Sequence, residues 1–205
     1  MQVAKNLRFG LVGPGRRRQG LGPFLAAHVE AAGARVVAAA GRDLARTEED
    51  ALQLSNRLGH AVTAHASVAG MATSEALDAL IIAAPVSAHR EVLEAALVAG
   101  LPVLCEKPLV APEELDGVGE LLDRFLQSGL LLMEHCQWPL TLSALTQLHP
   151  GFEGRAIDRV ELMICPGARG RQMIEDSLSH LLSLVQALVP VDETTVLRGV
   201  EFTTH

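Results

Sequence analysis

Aromatic side chains make up only 3% of this 205-residue chain, and of its 17 basic residues just two, Lys5 and Lys107, are lysines. With so few rings, the 49% of apolar residues is mostly Ala, Leu and Val, a composition suited to helices packed closely on a sheet. The shortage of lysine confines any chemistry that needs an ammonium, rather than a guanidinium, to very few positions. The three cysteines, Cys105, Cys136 and Cys165, are odd in number and far apart, with no CxxC pair. That excludes a disulfide framework, and the sequence predicts reduced thiols and no metal site. No apolar run approaches the roughly 20 residues of a membrane span, and residues 1–7 lack the apolar segment of a signal peptide. The expectation is a cytoplasmic protein with no membrane partner. A net charge of -7, from 24 acids against 17 bases, argues against nucleic acid as a partner as well.

What is present is an alternation of short Val/Ile/Leu-rich runs with longer amphipathic stretches, the pattern of βαβ units building a parallel sheet. The spacing predicts strands at 8–12, 35–40, 61–65, 79–84, 102–105 and 130–135. Helices are predicted at 21–32, 44–58, 89–99, 112–126 and 140–148, with none after the third strand. Gly33, Gly59 and Gly100 mark helix ends. Beyond residue 151 the pattern changes to an alternating segment at 159–165, a loop, a helix at 175–188 and a strand at 196–202. The fold class expected is α/β: a doubly wound parallel Rossmann sheet in residues 1–129, followed in 130–205 by a truncated α+β second domain.

The first strand runs into Gly13-Pro14-Gly15-Arg16-Arg17-Arg18-Gln19-Gly20-Leu21-Gly22. Small residues at such a turn let backbone N–H groups reach a pyrophosphate at a helix N-terminus, so Gly13, Gly15 and Gly20, with Arg16, Arg17 and Arg18, are candidate cofactor-binding residues. Four residues rather than two separate Gly15 from the next glycine, but a strand precedes and a helix follows, as the motif requires. The second strand ends in Ala40-Gly41-Arg42-Asp43. An acid there would bind a ribose 2'-hydroxyl; Gly41 removes that carboxylate, and Arg42 offers a planar fork for a 2'-phosphate. The pattern predicts NADP in preference to NAD. Asp43 is equally well explained as the cap of the following helix.

The fourth strand ends in Pro85-Val86-Ser87-Ala88-His89 and the fifth in Cys105-Glu106-Lys107-Pro108, both where ligands bind in such sheets. Pro85, His89, Glu106 and Lys107 are therefore candidates for the cofactor site. The Lys107 ammonium can polarise a substrate oxygen and donate to it as alkoxide charge changes. Asp176 and His180 lie four apart on one helical face, a spacing that makes a surface ion pair or, where the carboxylate orients the imidazole, a proton-transfer pair.

Taken together, the glycine turn, 85–89, Cys105-Glu106-Lys107-Pro108 and Asp176-xxx-His180 resemble the family of glucose-fructose oxidoreductase, inositol dehydrogenase and MocA-like proteins, over nearly all of residues 7–188. The resemblance implies a Rossmann domain followed by an open sheet, and NAD(P)-dependent oxidation or reduction of a sugar, cyclitol or related alcohol. It makes Lys107 the ligand of the reacting oxygen, His180 the proton-transfer group and Asp176 a substrate-positioning residue. The family often has an arginine or aromatic stretch after the sixth strand; Cys136-Gln137-Trp138-Pro139 stands there, with Gln137 and Trp138 as substrate-binding candidates. The family's second domain has further strands after the histidine helix, whereas this sequence stops at Thr204-His205. A homo-oligomer formed through the second domain is expected. A catalyst, a non-catalytic dinucleotide sensor or partner protein, and a fragment of a longer enzyme all stay open.

Overall fold

Strand β1 (Arg8–Val12) is the centre from which the chain winds outward in both directions. The computed structural model describes residues 6–15, 20–152, 155, 157, 159–165, 167 and 169–189. In chain order there follow α1 (Gly22–Ala31), β2 (Arg35–Ala40), α2 (Leu44–Leu58), β3 (Thr63–His65), α3 (Val68–Ser74), β4 (Ala79–Ile82), α4 (His89–Ala99), β5 (Val103–Glu106), α5 (Val118–Ser128) and β6 (Leu132–His135). Strand order is β3-β2-β1-β4-β5-β6, and every pairing is parallel. Because each crossover returns the chain to the same starting edge, the carboxyl ends of all six strands lie along one edge of the sheet.

Residues of β4 alternate between the two faces, as a parallel strand buried on both sides requires. Leu80 and Ile82 join a core with Met71, Leu93, Leu121 and Phe125, built by α3, α4 and α5. Ile81 joins Leu11, Val36, Leu25 and Leu54 on the opposite face, under α1 and α2. Among the described residues, Phe125 heads the fully buried side chains by volume.

Several expectations need correction. The chain divides into units 1–135 and 136–205, so the boundary falls six residues beyond 129: β6 pairs with β5 and belongs to the sheet. A helix, α3, follows the third strand; its seven residues are too few for a periodic pattern, and Ser67 caps it by accepting from the Gly70 N–H at 3.1 Å. The helix expected at 112–126 is a 3-10 turn (Pro112–Glu114) and then α5, separated at Asp116-Gly117. Residues 159–165 form no strand. Alternation alone does not make one, since a strand needs a partner for its backbone groups. The strand expected at 196–202 lies outside the described residues. In the second unit, a 3-10 turn (Trp138–Thr141) leads into α6 (Leu142–Leu148), and the longer α7 (Arg171–Leu188) packs against that turn. No helix among the described residues is long and apolar enough to cross a membrane.

Candidate cofactor and catalytic site

Gly13 begins the site. Its N–H donates to the Ala40 carbonyl at 3.1 Å, and its φ of +82° is one that side chains rarely adopt. A Cβ there would stand 2.6 Å from the Ala84 nitrogen and 2.7 Å from the Ala83 carbonyl carbon, so the turn passes directly over the end of β4. At Gly22 a Cβ would meet the Gly13 oxygen at 2.5 Å. This glycine, which the motif reading passed over in favour of Gly20, lets the first turn of α1 close on the strand end. Its position at the start of the helix was the available signal. Gly15 runs beside Asp50 of α2, whose Oδ2 would lie 2.6 Å from a Cβ. Arg16, Arg17 and Arg18 lie outside the described residues.

At the end of β2, Gly41 leaves room for the Thr47 hydroxyl, which would be 2.5 Å from a Cβ and which donates to the Asp43 carbonyl at 2.7 Å. The Asp43 carboxylate accepts from the Arg46 N–H at 3.2 Å and caps α2. Arg42 is exposed. A cleft of about 300 Å³ opens here, and Gly13, Gly41, Arg42, Ser67, Pro85 and Val92 are among its walls. Four residues singled out from the sequence thus share one cavity, and Ser67, at the start of the unforeseen α3, joins them. A mostly apolar slot flanked by close-approach glycines, a hydroxyl and a guanidinium fits the adenosine half of a dinucleotide.

His89 is not in that wall. It is 1% exposed, with Nδ1 at 2.9 Å from the Pro108 carbonyl oxygen and Nε2 at 2.9 Å from that of Ala84. Its ring braces the ends of β4 and β5 instead of lining the cleft. The strand-end position suggested a ligand, but the first turn of α4 aims this ring into the core. Cys105 Sγ lies 3.5 Å from the same ring. Burial, with the Glu134 and Glu106 carboxylates, pushes its thiol up, so it remains protonated and unreactive.

Glu106 directs its carboxylate to the Nδ1 of His135, its register partner on β6. That hydrogen bond raises the His135 pKa above 6.5, the Glu106 charge adds to the rise, and partial burial opposes it. His135 was not singled out from the sequence; its place at the end of the sixth strand was the signal. Lys107 follows, half-buried, with a cis bond to Pro108. The Leu109 N–H then donates to Glu134 Oε1 at 2.9 Å.

In the second unit, His180 of α7 meets the Trp138 ring edge-on, centroids 6.2 Å apart and planes at 70°. The Trp138 indole N–H and the Ser177 hydroxyl are buried without a hydrogen-bond partner among the described residues. Gln137 is exposed. Asp176 lies four residues before His180 on α7, but its side chain is outside the described set.

The family model for Gfo/Idh/MocA, an oxidoreductase family with an NAD-binding Rossmann fold, matches residues 7–135. An inositol 2-dehydrogenase of Streptomyces avermitilis is 32% identical over 81% of this chain, which spans 49% of that relative's length. Among solved structures, a myo-inositol 2-dehydrogenase from Lactobacillus plantarum superposes with a TM-score of 0.57 at 26% identity, covering 75% of this chain and 44% of that one. An Agrobacterium radiobacter oxidoreductase in complex with NAD+, L-tartaric acid and magnesium gives a TM-score of 0.65 over 90% of this chain and 55% of its own, and at 19% identity it speaks to the fold alone. With the family model matched from β1 to the end of β6, the chain belongs to the Gfo/Idh/MocA family of oxidoreductases with an NAD-binding Rossmann fold.

Proposed function

We propose that the protein is a dinucleotide-dependent oxidoreductase, preferring NADP over NAD, that acts on the CH–OH group of a sugar, cyclitol or similar small polyol. The observation that carries this reading is the cleft at the strand ends that unites Gly13, Gly41, Arg42 and Pro85. Gly41 supplies no carboxylate to repel a 2'-phosphate, Asp43 spends its own on the α2 cap, and the exposed Arg42 has the planar fork that phosphate accepts. Gly13, Gly15 and Gly20 would admit the pyrophosphate to backbone N–H groups, with Arg16, Arg17 and Arg18 as its counter-charges.

When bound, the nicotinamide supplies hydride acceptance and donation. Lys107 donates a hydrogen bond to the reacting oxygen and stabilises the alkoxide charge that develops on it. His180 takes the hydroxyl proton in oxidation and returns it in reduction, with Asp176 holding substrate and imidazole in line. Gln137 and Trp138 contribute substrate contacts. The buried indole N–H of Trp138 and the Ser177 hydroxyl support a hydroxyl-rich ligand, because polar groups left buried without partners are costly. The protein is proposed to act as a cytoplasmic homo-oligomer through its second unit.

Titration with NADPH and NADH, followed by turnover on a panel of polyols and aldoses, tests the reading. NADPH should bind more tightly, and at least one polyol should turn over. Lys107→Met should keep NADPH affinity while abolishing hydride transfer; undiminished turnover in that variant removes Lys107 from the mechanism. Saturable binding with no turnover on any substrate favours the sensor reading instead.

A further inference from the structure

The loop that carries Lys107 is held by side chains at three of its four positions. Glu106 is engaged through its carboxylate by His135, the Pro108 carbonyl lies against His89, and the Leu109 N–H is taken by Glu134. Two of those three side chains are consecutive residues at the end of β6. Side chains alternate between faces along a strand, so Glu134 and His135 can grip the loop from different sides only because it turns across the strand end. A strand end without a histidine would remove the hydrogen bond that His135 makes to the Glu106 carboxylate, one residue before Lys107.

We propose that His135 is a positioning residue: by holding the Glu106 carboxylate it fixes the direction of the neighbouring Lys107 side chain. The inference rests on the reading of Lys107 as the ligand of the reacting oxygen. Its geometric content, however, is independent of turnover. An imidazolium is both a donor and a counter-charge for Glu106, whereas a neutral ring is a donor only. Protonation of His135 therefore sets how firmly Glu106 is held. Beside the pair in the chain stand Cys105 on β5, Lys107 directly after that strand and Glu134 on β6. The Cys105 thiol is kept neutral by its burial, and the Glu134 carboxylate accepts from the Leu109 N–H.

The scarcity of lysine provides the assay. Reductive ¹³C-dimethylation keeps the charge and labels only Lys5, Lys107 and the amino terminus, and Lys5→Arg identifies the Lys107 signal. In the full chain the Lys107 methyl signal should move with pH through an inflection that matches the ring titration of His135. His135→Gln should abolish that inflection, and Glu106→Gln, which is nearly isosteric, should both abolish it and lower the His135 titration toward the ordinary imidazole value. Where the enzyme turns over, His135→Gln should lower kcat by roughly 10²-fold, with the affinity for NADPH unchanged. A Lys107 signal in His135→Gln that superposes on the unsubstituted protein at every pH overturns the proposal, as does an unshifted His135 titration in folded Glu106→Gln. Absence of turnover with the inflection intact would instead count against the enzymatic reading alone.

Discussion

Replacing Gly13 with alanine tests how the strand-end turn is built. Two costs are expected. A residue with a Cβ at φ +82° loses about 1–2 kcal/mol to local sterics. The Cβ would also lie 2.6–2.7 Å from backbone atoms of Ala83 and Ala84, which cannot rotate away as a side chain could. Crowding of this kind costs about 1–3 kcal/mol. Together that is about 2–5 kcal/mol out of a stability of roughly 5–15 kcal/mol. Gly59 provides the control: its φ is +77°, yet a Cβ there meets nothing within 4 Å. Gly59→Ala should therefore show the first cost without the second. In urea unfolding followed by circular dichroism, the midpoint of Gly13→Ala should lie about 1 M below that of Gly59→Ala, from a crowding cost of about 2 kcal/mol and a slope near 2 kcal/mol/M. Equal midpoints for the two variants would mean that the turn does not press on β4 and would refute the reasoning.

Other outcomes follow from the same geometry. Asp43→Ala removes the cap on α2 at a cost of about 1 kcal/mol, which thermal unfolding should register as a fall in Tm of about 2–4 °C. Gly41→Asp alone should destabilise the fold through the Thr47 hydroxyl, whereas Gly41→Asp with Thr47→Ala should stay folded and shift the NADPH/NADH affinity ratio toward NADH by roughly tenfold, about 1.4 kcal/mol. The His135–Glu106 pair contributes stability that is fully present below the unfolded imidazole value near 6.5 and is lost as pH rises through the raised folded value. Denaturation midpoints of the unsubstituted protein should accordingly fall more between pH 5.5 and 8.5 than those of Glu106→Gln.

The sheet was legible because its inner strands carry compact apolar runs, such as 36–40 and 80–82, and glycines close α2, α4 and α5. Helix α3 was not, since it holds its place by burying Val68 and Met71 and by one serine cap rather than by a repeated stripe. The alternation in 159–165 looked like a strand because periodicity records which faces differ, not whether a partner strand exists. In the candidate site, Gly13, Gly41, Arg42 and Pro85 could be placed from their positions after strands. His89 could not, because position along the chain says where a residue begins and packing decides where its ring ends. His135 was overlooked for a similar reason: its partner is 29 residues away, and only the β5–β6 register brings Glu106 beside it.

The most direct test of the central claim, that a dinucleotide occupies the cleft at the carboxyl ends of β1, β2 and β4, is an NMR titration of the ¹⁵N-labelled protein with NADPH. The amides of Gly13, Gly41, Arg42 and Ser67 should shift together and saturate with a single binding constant. Saturable binding that leaves those four amides unmoved would contradict the account.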